Sequence, residues 1–133
     1  MRNIKNYYKE LGRLVYAVAI ADGAVQVEER DKLHEFVLKV LANKERSSDS
    51  SGMNQAFYVD FEFEESEKNH RNLNGAINSF SLFIEENYEP NDKELIARSL
   101  ELLEALAAAY SKKNETKIIQ EFKSKTNSLF KSK

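Results

Sequence analysis

The chain has 133 residues, 41% of them hydrophobic, with four glycines, one proline, no cysteine and a net charge of −2. That length suits one domain with a core of its own. The missing cysteines exclude disulfides and thiolate zinc sites. The first residues are punctuated by Arg2, Lys5, Lys9, Glu10 and Arg13, unlike a signal peptide, and no apolar stretch approaches the ~20 residues of a membrane span. A cytoplasmic protein is therefore expected.

The predicted elements are helical almost throughout. Leu11, Leu14, Val15, Val18 and Ala19 form one apolar stripe, which predicts a helix from about Ile4 to Ala21. Leu33, Phe36, Val37, Val40 and Leu41 repeat the stripe and predict a second helix from about Glu28 to Ala42. Residues 43–52 are polar and serine-rich, a mobile loop by composition. Residues 53–69 are ambiguous. Phe57, Val59, Phe61 and Phe63 alternate with polar residues, a strand signal, but a lone strand has nothing to pair with in a helical chain. A short helix burying Phe57 and Phe61 is the favoured alternative.

Leu73, Ala76, Ile77, Phe80, Phe83 and Ile84 mark another helix, ending near Asn87. The segment Glu89-Pro90-Asn91-Asp92-Lys93-Glu94 reads as a start signal, with Asn91 as cap and Glu94 as its partner. Ile96, Leu100, Leu103, Leu106 and Tyr110 line the next helix, and Ile118, Ile119, Phe122 and Leu129 the last. The fold class is all-α: a single compact domain over residues 1–133, a bundle of five to seven helices. Its core joins Leu14, Val18, Leu33, Phe36, Val37, Leu103, Leu106 and Phe122.

Between the first two helices lies Ala21-Asp22-Gly23-Ala24-Val25-Gln26-Val27-Glu28-Glu29-Arg30. Gly23 can take the left-handed conformation that ends a helix. Glu28, Glu29 and Asp31 fall in the first turn of the next, where the helix dipole favours acids. This stretch resembles the signature of the TerB-like family, named after tellurite resistance, at Ala21, Asp22, Gly23, Val25, Glu29 and Arg30. A faint internal repeat sets Ala107 to Tyr110 against Ala19 to Asp22, and Glu115 against Glu29. The resemblance implies a helical hairpin near each end of the chain. Here Tyr110 and Ser111 stand where the first half has Asp22 and Gly23, so Tyr110 and Glu115 mark a degenerate second half-site.

The acids of the turn admit three roles. Asp22, Glu28 and Glu29 can offer oxygens to calcium or magnesium, but the spacing is too short and too sparse for an EF-hand loop, so such a cation is weakly held. The same acids can cap a helix, or contact a partner. His34 and His70 are isolated histidines, and no nucleophile motif or phosphate-binding glycine loop is present. Charge is spread unevenly, with +2 over residues 1–46, −9 over 47–104 and +5 over 105–133. That balance argues against nucleic acid as a partner.

The resemblance implies a non-enzymatic module linked to tellurite and chemical stress responses, with an acidic turn that takes a cation or a basic protein partner. It leaves room for a peripheral membrane complex and for a homodimer. The competing reading is a helical protein-interaction adaptor that keeps the fold and has no metal site.

Overall fold

A computed structural model describes residues 1–20, 25–69, 75–110 and 120–124, with the backbone alone for 107–110. Among these residues there are six α-helices and no strand: α1 (Ile4–Ile20), α2 (Val27–Phe36), α3 (Ala42–Lys44), α4 (Tyr58–Lys68), α5 (Ala76–Asn87) and α6 (Lys93–Tyr110). A π turn, Val37–Leu41, joins α2 to α3, and 3-10 turns precede α4 and α6 at Gln55–Phe57 and Pro90–Asp92. Residues 120–124 form a further helical turn.

The first helix is the hub. It packs most extensively on α4, and also on α5 and α6. Its buried positions include the whole predicted stripe, Leu11, Leu14, Val15, Val18 and Ala19, and Tyr7, Tyr8, Gly12 and Tyr16 are buried beside it. Burial that extends beyond one stripe places α1 inside the bundle rather than on it.

Gly12 explains how closely α4 lies on α1. A Cβ at that position would sit 2.6 Å from the Val59 carbonyl oxygen and 2.9 Å from the Glu62 Cβ. Both distances are well inside ordinary contact, so only glycine fits. The neighbouring Arg13 then reaches across the crossing, its Nε donating to Glu62 Oε1 at 3.2 Å and its Nη1 to Glu10 Oε1 at 3.0 Å. Tyr16 meets Phe63 edge-on, with ring centroids 5.7 Å apart.

The segment 53–69 is helical, but with a different face from the one expected. Val59, Phe63 and Ser66 are buried with Glu62, whereas Phe57 is half-buried and Phe61 is 49% exposed. Helical geometry puts Val59, Phe63 and Ser66 on one side at i, i+4 and i+7, and Phe61 lies well round from them. The contact with Gly12 selects the Val59 side.

Of the expected core, Leu14, Val18, Leu33, Val37, Leu103, Leu106 and Phe122 are buried, and Phe36 is only half-buried. The reason is the π turn, in which the amide of Ala42 reaches the Val37 carbonyl. Its wider winding keeps Leu33, Val37 and Leu41 inward and leaves Phe36 and Val40 at the rim. Phe122 stacks on Phe80 of α5 at 5.4 Å.

The start of α6 also differs from expectation. Asp92, not Glu94, is the acid partner before α6: its Oδ2 accepts from the backbone amide of Glu89 at 2.8 Å. Pro90 opens the 3-10 turn between them, in keeping with its fixed φ and missing donor. Gly75 takes a left-handed φ of 86° just ahead of α5.

Two tyrosines inside the bundle are satisfied through polar partners. The Ser99 hydroxyl donates to the Leu95 carbonyl at 3.0 Å, so the Tyr7 hydroxyl donates to Ser99 Oγ. Burial pushes the Tyr7 and Tyr8 phenols well above their usual range, and for Tyr8 its bond to the Glu45 carboxylate adds to the effect.

Candidate functional site at the start of α2

The turn singled out by the sequence is described on its α2 side. Asp22, Gly23 and Glu115 lie outside the described residues, as does the side chain of Tyr110, whose backbone ends α6. The structure therefore places Val25, Glu28, Glu29 and Arg30, and the signature's Ala21, Asp22 and Gly23 lie outside the described residues.

Glu28 and Glu29 take opposite roles. Gln26 is extended, with φ −90° and ψ 152°, and the helix begins after it. The backbone amide of Gln26 donates to Glu29 Oε1 at 3.1 Å, and the Glu29 amide donates to the Gln26 carbonyl at 3.1 Å. Glu29 is only 1% exposed. This is the acid half of a capping box, which satisfies a backbone donor that the helix itself cannot. Glu28 and Asp31 stay exposed in the same turn, beside Val27, which is 61% exposed.

Arg30, the last residue of the signature, points to α4. Its Nε donates to Glu67 Oε1 at 3.0 Å and its Nη2 to Glu67 Oε2 in a two-pronged pair. That pairing raises the Arg30 guanidinium pKa still further. One turn on, His34 Nδ1 lies 3.1 Å from Asp60 Oδ2. Burial lifts the Asp60 carboxyl above its usual range, and the histidine opposes the lift. Among the described residues, no three His, Asp or Glu side chains gather into a group suited to a metal ion.

Three features escaped the sequence reading. The Arg30–Glu67 and His34–Asp60 pairs join residues 37 and 26 positions apart, a distance no local pattern reports. The third is Asp49. Its Oδ1 accepts from the Ser51 amide at 2.9 Å, the Ser51 hydroxyl at 2.7 Å and the Met53 amide at 3.1 Å, and its Oδ2 accepts from the Tyr58 hydroxyl at 2.8 Å. These bonds hold its carboxyl at about 2. The signal was present in Asp49-Ser50-Ser51-Gly52, since aspartate organises turns by bonding the backbone two residues on.

Arg98 was also passed over. It lines a cavity of about 320 Å³ beside Ile4, Glu45, Ser47 and Asp92.

No known family model, curated protein or solved structure matches this chain. No helix among the described residues is long and apolar enough to cross a membrane.

Proposed function

We propose that this protein is a non-enzymatic, TerB-like helical module that binds a basic protein partner through the exposed first turn of α2. The observation that carries this is the division between the two glutamates. Glu29 is buried and bonded to the backbone, so it serves the fold. Glu28 and Asp31 are exposed in the same turn as an exposed Val27. An exposed apolar side chain in the same turn as two exposed carboxylates suits a surface with lysine or arginine beside a small hydrophobe. The all-α fold and the signature residues support the TerB-like reading, and with it a role in tellurite or chemical stress.

The test is anisotropy of a fluorescent lysine-rich peptide at low and high salt. Binding should weaken with salt, and the Glu28→Gln, Asp31→Asn double variant and Val27→Ser should each weaken it at low salt. Unchanged affinity in both variants overturns the proposal. Thermal melts at constant ionic strength complete the test. A calcium- or magnesium-specific rise in Tm that is lost in Glu28→Gln, Glu29→Gln would replace the partner reading with cation binding, because only a ligand of the folded state stabilises it in that way.

A further inference from the structure

The cavity beside Arg98 lies between the start of α1, the segment after α3 and the first turns of α6. Its volume of about 320 Å³ falls at the small end of ligand pockets, which run from about 300 Å³ upward. That is room for a molecule of amino-acid size and not for a nucleotide.

Arg98 is the unusual group in its wall. The side chain is only 23% exposed, and its nearest acid, Glu94, stands 3.7 Å away, beyond hydrogen-bond distance. The Nε is shut off from water and has no acceptor among the described residues. A guanidinium carries five donors, and the four on the Nη atoms are those left to meet a ligand in the cavity.

The other acids of the wall are already committed. Glu45 accepts from the Tyr8 hydroxyl with one oxygen and from the amide and hydroxyl of Ser47 with the other. Asp92 accepts from the Met1 nitrogen at 2.7 Å and from the Glu89 amide at 2.8 Å. Glu94 stands at the mouth of the cavity, its side chain 92% exposed and its Oε2 3.7 Å from Arg98 Nη1.

We infer that this cavity binds a small zwitterion of α-amino-acid size, its carboxylate on Arg98 and its ammonium toward Glu94. A carboxylate matches the planar fork of a guanidinium. The three carboxylates of the wall repel a simple anion and favour a ligand that also carries a positive charge. The inference is independent of the α2 surface, since it uses none of the same residues.

The test uses the full chain labelled with ¹⁵N and follows the Arg98 Nε–H cross-peak, assigned by its loss in Arg98→Lys. Free glycine should move that peak saturably. Acetate should act about tenfold more weakly, and methylammonium and inorganic phosphate should leave it in place. Glu94→Gln should weaken glycine and spare acetate, which keeps the test open if Arg98 variants fail to fold. An Arg98 peak unmoved by glycine overturns the inference. So does phosphate binding as tightly as glycine, which would mark a general anion site.

Discussion

Gly12 allows α4 to lie directly on α1, and a methyl group added there meets backbone rather than a flexible side chain. Gly12→Ala should therefore cost about 1–3 kcal/mol, the range for overpacking a tight contact, despite alanine's better helix propensity. A denaturant midpoint equal to or above wild type would contradict the close approach. Asp49 gives a pH-dependent prediction. Its carboxyl is held at about 2 in the folded protein, below the ordinary value of 3.8. A depressed folded pKa means stability that is present above the ordinary range and lost as pH falls toward about 2. Denaturation of wild type and Asp49→Asn should thus differ at neutral pH and converge on acidification. A difference that does not shrink would show that the loop is held by something else. The close approach at Gly12 was not legible beforehand, and for Asp49 only the turn was, not the bond to Tyr58. In the sequence Gly12 is only a weak point in a helical stripe, and Asp49 one polar residue among serines. Their partners, Val59 and Tyr58, come from an element whose own conformation was ambiguous.

At the scale of elements, the start of α2 tests the capping role. Glu29→Ala removes the acceptor for the Gln26 amide and should cost about 0.5–2 kcal/mol, the size of a lost helix cap. Glu28→Ala, on the exposed side of the same turn, should cost less, because a surface charge near a helix start contributes only about 0.3–1 kcal/mol. Equal losses measured by chemical denaturation would dissolve the distinction between them. The acids at this helix start were readable from position alone. Which of the two turns inward was not, because that depends on how the chain enters the helix at Gln26. In α4 the alternation of aromatic and acidic residues imitates a strand. Helix wins because α1 offers a groove at Gly12 and the described residues contain no strand to pair with.

Across the whole molecule, the turn at residues 120–124 is tied to the bundle by Phe122, which is fully buried and stacked on Phe80. Phe122→Ala should cost about 3–5 kcal/mol. Phe36→Ala, at the half-buried rim beside the π turn, should cost clearly less. Equilibrium unfolding of both variants checks the order, and a larger loss at position 36 would misplace the inner face of α2. The start of the chain is likewise drawn in by distant partners. The Arg2 guanidinium donates to the Glu86 carbonyl at 2.6 Å and the Asn3 amide to Asn87 Oδ1 at 2.8 Å, closing α1 onto the end of α5.

Helical periodicity by itself determined the fold class, the extent of α1 to within a residue, the end of α5 and nearly all of the expected core. The cause is local: apolar residues three and four apart must share a side of a helix and be buried together. Tertiary structure alone decided the buried face of α4, the rim position of Phe36, the Arg30–Glu67 and His34–Asp60 pairs and the cavity at Arg98. Each of these depends on which segments meet across the bundle, and one-dimensional spacing carries no record of that. Phe61 shows the difference plainly. Its aromatic ring fits a core as well as Phe63 does, and only the approach of α1 to the Val59 side sends it outward to stand edge-on against Tyr58.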